Sequence, residues 1–345
     1  MKNTQPSVAN SCYSQDYYPA TGIYAPPTEI SDEHTSAKLD EIPMGTLLNV
    51  PHPTVVDLSD GSQIRLYNVT PRGDYDESRT IVYVPEFAAG MVPHRDAAAL
   101  AIAEVLGCRV IVAPHNELST TRQERAQLRA GNVGFIAARL AEALAKVLPV
   151  GQDTTIYGYS FGAQIAPDLS GEVSRHGVLD HKKLALLEPP NTVERSMYQL
   201  LKDFSKAGTE QWLQATRDSR WQALIELVDS TYVHEDAGRF IRQARSLASL
   251  AMIGAMKRGT FAADLLAAHQ ALPPDARTTL GYVENSAMVA PFGLEDALDA
   301  VQASSNNPDA IRLVRFTSGS EAKGVGHAGG NNPLVAISLL EKTTE

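Results

Sequence analysis

The chain has 345 residues, a formal net charge of −10, and 43% hydrophobic and 20% charged residues, the composition of an ordinary soluble globular protein. The acidic balance argues against nucleic acid as the main partner, because phosphate binding needs clustered Lys and Arg. No uninterrupted apolar run reaches membrane-spanning length, and two distant cysteines, Cys12 and Cys108, suggest neither a disulfide framework nor a metal site.

Residues 1–45 are rich in Pro, Ser, Thr, Tyr and Asp and show no sustained period, so they read as a flexible or surface-draped tail. The first ten residues carry no apolar stretch after Lys2 and do not look like a secretory signal; the cytoplasm is the expected compartment. Residues 54–58 and 63–67 alternate on either side of Asp60-Gly61, the pattern of a β-hairpin. Residues 80–84 form a continuous apolar run, as expected of a parallel strand covered on both faces. A helix over 94–106, a strand over 109–113, a helix over 132–147, a strand at 154–157 with a helix after it, and a strand over 183–187 follow in alternation. That alternation implies right-handed βαβ units and a mostly parallel sheet. Cys108 leads into a strand and reads as a buried thiol.

The rhythm breaks after Glu188-Pro-Pro-Asn191. Residues 193–272 carry helix-like periods over 197–204, 211–228 and 237–256 and no convincing strand. The stretch 247–256 is apolar nearly all round, so it either packs against the sheet domain or lines a pocket for a hydrophobic group. Strands at 278–283 and 311–316 and helices at 294–303 and 333–342 then resume the alternation. The organisation read from sequence is a core of residues 46–192 and 273–345, interrupted by a helical lid or cap at 193–272.

The chain centres on Gly158-Tyr-Ser160-Phe-Gly162, a Gly-x-Ser-x-Gly pattern between a short apolar strand and a helix. A turn that sharp strains the middle residue and crowds its neighbours, so glycines flank it. It lifts the serine hydroxyl to the carboxyl edge of the sheet, where the helix start aims backbone N–H groups. Late in the chain, Gly324-Val-Gly-His327-Ala-Gly-Gly forms a glycine-rich loop between the last strand and the last helix.

With these features in this order, the chain from about residue 50 to its end resembles the α/β-hydrolase family. The resemblance implies an α/β fold with a mostly parallel central sheet flanked by helices, a helical lid, Ser160 as nucleophile and His327 as its base. It implies an oxyanion hole from the backbone N–H groups of Phe161 and Phe87, the latter in the loop Pro85-Glu86-Phe87. Glu86 departs from the family pattern and sets a carboxylate near a site that must stabilise negative charge, unless it points away or is paired structurally. The family usually places its acid after the strand ending near Val283, where this chain has Glu284 or, in another register, Ser286; the thioesterase branch places it where this chain has Glu188. Glu188, Glu284 and the absence of any acid remain open.

No dinucleotide fingerprint or phosphate loop is present, and His52, His94, His115, His176 and His181 lack metal-ligand spacing, so no cofactor or metal is expected. His115 follows a strand, facing either the pocket or solvent. The implied function is a serine hydrolase or acyltransferase acting on an ester or thioester of a small-molecule, hydrophobic acyl substrate. The alternative is a non-catalytic binding or assembly protein on the same fold, since function resides in the site rather than the fold.

Overall fold

The computed structural model of the chain describes residues 28–29, 42, 52–87, 93–115, 118–177, 179–205, 247–283, 286–304, 310–316 and 333–344. The strands among them are β1 (Thr28–Glu29), β2 (Pro53–Asp57), β3 (Gln63–Val69), β4 (Asp76–Val84), β5 (Cys108–Val112), β6 (Asp153–Tyr159), β7 (Asp180–Leu187), β8 (Arg277–Val283) and β9 (Ile311–Phe316). They form one sheet in the order β1-β9-β8-β7-β6-β4-β5-β3-β2. Every pairing is parallel except those of β3, which runs against both β2 and β5. The expected hairpin closes at Gly61, with φ at 79° and its N–H donating to Leu58 O.

The helices are α1 (Pro93–Leu106), α2 (Arg122–Arg129), α3 (Gly134–Val147), α4 (Phe161–His176), α5 (Met197–Ser205), α6 (Leu247–Met256), α7 (Phe261–Ala271), α8 (Pro291–Ser304) and α9 (Pro333–Thr344). The period-two alternation of the strands divides the buried side chains between two cores. Val82, Val84, Ile156, Leu184, Leu186 and Leu280 share one core with α3, α4, α7 and α8. Ile81, Tyr83, Tyr157, Ala185 and Leu187 share the other with α1 and α9. Burying each large aliphatic side chain contributes about 1.5–3 kcal/mol, so the central strands β4, β6 and β7, covered on both faces, are the firmest part of the sheet. The ends of those strands carry the site.

Several features were not foreseen. Helix α2 has one buried residue, Leu128, and so shows no apolar period, yet Thr121 and Glu124 form a complete capping box at its start. Within the expected tail, Thr28–Glu29 adds an edge strand to β9 and Ile42 is buried in the second core. Within the expected insertion, the described parts are 193–205 and 247–272. Helix α6 buries Ala251, Met252, Ile253, Ala255 and Met256 in the larger core and packs on α2, while α7 packs on α4 and α8. For 247–256 this is the packing alternative of the two read from sequence. The expected helices at 211–228 and in the first part of 237–256 lie outside the described residues. Cys108 is buried and free, and burial pushes its thiol up to about 11, as befits an inert core residue.

Candidate active site

β6 ends at Tyr159 and α4 begins at Phe161, so the chain turns from strand to helix at one residue. Ser160 takes φ 53° and ψ −120°, a conformation that a residue with a Cβ rarely adopts. Its N–H donates to Leu187 O at 2.8 Å, and its carbonyl accepts from Ala163 N at 2.8 Å and Gln164 N at 3.3 Å. A Cβ on Gly162 would lie 1.9 Å from Val84 O and 2.6 Å from Pro85 O, and one on Gly158 would lie 2.6 Å from Gly162 O. Both glycines are therefore required by backbone approach: the first turn of α4 rests directly on the end of β4 and on the strand that precedes it. Ser160 itself is buried.

The same contact brings the loop after β4 beside the start of α4, and with it the two candidate oxyanion donors. The first N–H groups of a helix have no intrahelical acceptor, so those of α4 face the carboxyl edge of the sheet. The rings of Phe87 and Phe161 are both buried and meet edge-on, with centroids 6.2 Å apart and planes at 89°. Glu86 is half-buried and accepts a long hydrogen bond, 3.4 Å, from the Tyr83 hydroxyl, on the side of the sheet that holds the second core. Tyr83 stacks on Tyr157, whose hydroxyl is held well above its ordinary range by burial and then by the charge of Glu86. Glu86 is thus engaged with Tyr83, the structurally paired alternative read from sequence.

Glu188 is the residue after β7 and also has a positive φ, 58°. β6 and β7 pair in register up to Tyr159 opposite Leu187, which makes Ser160 and Glu188 successive residues on neighbouring strand ends. Its N–H donates to Gly281 O at 2.9 Å, and its fully buried carboxylate turns toward β8. There one oxygen accepts from Val283 N at 2.5 Å and the other from the Ser286 hydroxyl. Ser286 Oγ in turn accepts from Met288 N at 3.2 Å and Val289 N at 3.3 Å, so its proton is committed to Glu188. The carboxylate thus arises after β7 but is held at the end of β8, by Val283 N–H and the Ser286 hydroxyl. Glu284 and His327 lie outside the described residues.

His115 is not a surface residue. It is fully buried, with its ring centroid 5.1 Å from that of Phe161. Its place after a strand is the one sign of this packing in the sequence. His181, also fully buried, lies at the opposite end of the sheet from Ser160, near the start of β7, bonded through Nδ1 to Thr154 O at 3.0 Å and through Nε2 to Ser170 Oγ at 2.6 Å. Among the described residues no group of three or more His, Cys, Asp or Glu side chains stands ready to hold a metal ion, and no helix is long and apolar enough to cross a membrane.

The architecture is shared with solved structures. Proline iminopeptidase of Mycobacterium smegmatis aligns with a TM-score of 0.50 at 15% identity, over 85% of this chain and 98% of that one. A candidate lipase of Acinetobacter baumannii aligns with a TM-score of 0.50 at 14% identity, over 94% and 96%. The thioesterase domain of the curacin biosynthetic pathway aligns at 0.48 with 17% identity, over 85% and 98%. No protein-family model and no curated protein sequence matches the chain. At these identities the likeness is one of fold: the chain has the α/β-hydrolase fold.

Proposed function

We propose that the protein is a serine hydrolase or acyltransferase acting on an ester or thioester through an acyl-enzyme intermediate. Ser160 Oγ attacks the acyl carbonyl, His327 takes its proton as general base and returns it to the leaving group, and Glu188 accepts the other imidazole N–H and orients the ring. The amides of Phe161 and Phe87 receive the oxyanion. Water or a second acceptor then releases the acyl group. The observation that carries this reading is the strained φ of Ser160 at a strand-to-helix turn whose two glycines admit no Cβ. Glu188 is preferred over Glu284 as the acid because its carboxylate is buried, held by two donors, and next to Ser160 in the strand register. His327 is assigned from its glycine-rich loop before the last helix.

The test is covalent labelling by a fluorophosphonate serine probe. The wild-type protein should label stoichiometrically, and Ser160→Ala and His327→Ala should not. A labelled protein then goes to a panel of esters and thioesters of graded acyl length. A folded wild type that stays unlabelled and turns over nothing in that panel would leave the non-catalytic binding protein as the better reading.

A further inference from the structure

We infer that the rings of Phe87 and His115 are positioning groups that clamp the ring of Phe161 and thereby set the spacing of the two oxyanion amides. This rests on the reading of Ser160 as a nucleophile. An oxyanion donor acts through its backbone N–H, so the chemistry asks for no particular side chain at either donor position. Here both donors are Phe, and their rings are buried against each other in perpendicular contact at 6.2 Å. His115 approaches Phe161 as well, at 5.1 Å with planes at 60°. Both distances lie within the range in which the positive edge of one ring attracts the face of another, roughly 4.5–7 Å.

The three rings follow the ends of three adjacent strands, β5, β4 and β6. Neighbouring strands are about 4.8 Å apart, so the Phe161 ring reaches past β4 to touch a group two strands away. The backbone contact of Gly162 with Val84 and Pro85 fixes how closely α4 approaches β4. The Phe87–Phe161 ring contact ties the loop to α4 beyond that backbone contact, and each ring shares a Cα with the amide it serves. His115 packs against the same Phe161 ring, a second ring contact that resists its displacement.

The experiment resolves fluorophosphonate labelling into its maximal rate, kinact, and its half-saturating concentration, KI, for the wild type, Phe87→Leu, Phe161→Leu, the double variant and His115→Gln. Each single variant should lower kinact by about 10- to 100-fold while KI stays within about twofold, since loss of a whole oxyanion donor is worth roughly 10²–10³. The double variant should fall no more than about threefold below the weaker single one, because either change alone breaks the shared contact. If Phe161→Leu does not fold, Phe87→Leu and His115→Gln decide by the same ratio. Unchanged kinact with a lowered unfolding midpoint would make the rings core packing only and overturn the inference, as would multiplicative losses in the double variant. A wild type that does not label removes the reading beneath the inference, whereas a labelled wild type with unaltered variants removes the inference alone.

Discussion

Replacing Gly162 by alanine tests the serine turn where its tolerance is smallest. The added Cβ would stand 1.9 Å from Val84 O and 2.6 Å from Pro85 O. A carbon and a carbonyl oxygen do not approach within about 3.0 Å without displacement, so the first turn of α4 and the end of β4 must separate by about 1.1 Å. The second carbonyl lies inside the same limit. Overpacking of this kind costs about 1–3 kcal/mol, offset by the roughly 1 kcal/mol by which alanine favours a helix over glycine. The opening falls between Ser160 and the Phe87 loop, and a misplacement of about 1 Å at a reacting centre costs on the order of 10²-fold in rate. Gly162→Ala should therefore lower the urea midpoint moderately and the fluorophosphonate labelling rate about a hundredfold. The control is Gly171→Ala in the same helix, where the nearest atoms lie 3.9 Å from the new Cβ. It should leave labelling unchanged and raise stability by about 0.5–1 kcal/mol. Wild-type stability and labelling in Gly162→Ala, or equal losses in both variants, would refute the close-approach argument.

Glu188→Gln keeps the shape of the carboxylate but removes its charge, and labelling should slow by roughly 10²- to 10⁴-fold; stopped-flow labelling that matches the wild type would exclude Glu188 as the acid. Ser160→Gly should be more stable to urea than Ser160→Ala by about 1–3 kcal/mol, because only glycine relaxes at φ 53°; the usual order of the two would argue against strain. Burial pushes His181 down to about 4, and its Nδ1–H donates to Thr154 O while Nε2 accepts from Ser170, so the folded state holds the neutral ring. A lowered folded pKa on a base means that its stabilisation is present above the unfolded value near 6.5 and is lost as pH falls toward 4. The unfolding free energy from urea titrations should decline across that window by up to about 3 kcal/mol, and less steeply in His181→Gln. Burial, with the charge of Asp168 adding, raises Asp264 to about 6 against the Thr260 hydroxyl bond that lowers it. A raised acid is stabilising below its unfolded value near 3.8 and loses that contribution as pH rises through 6. Asp264→Asn should therefore add about 1–2 kcal/mol at pH 8 and almost nothing at pH 4, by urea unfolding.

The parts of the fold that could be read from sequence are those fixed by near neighbours. The Asp60-Gly61 hairpin, the apolar runs of β4 through β7 and the Gly-Tyr-Ser-Phe-Gly turn each carry their cause within a few residues. Helix α2 escaped because the period of apolar residues is a record of burial, and only Leu128 is buried there. The one signal it left was the capping pair Thr121 and Glu124. The choice between Glu188 and Glu284 was not legible because the surroundings of Glu188 are assembled from a distance. Glu188 and Ser286 stand ninety-eight positions apart and meet only because β7 and β8 pair with their carboxyl ends together.

Strain supplies the link between the fold and the chemistry. Among the described residues only Ser160 and Glu188 have positive φ without being glycine. Each such backbone costs of order 1–3 kcal/mol and persists only where its surroundings over-determine it. Both are held the same way: Ser160 N–H by the carbonyl of Leu187 on β7, and Glu188 N–H by the carbonyl of Gly281 on β8. Each strand end thus receives the strained residue of the strand before it, stepwise from β6 to β8. If these corners served packing alone, glycine would fill both at lower free energy, as it does at Gly61, Gly107, Gly131, Gly151, Gly177 and Gly259. Side chains at the two costly corners, one a hydroxyl and the other a carboxylate, are the reason to look for their chemistry there.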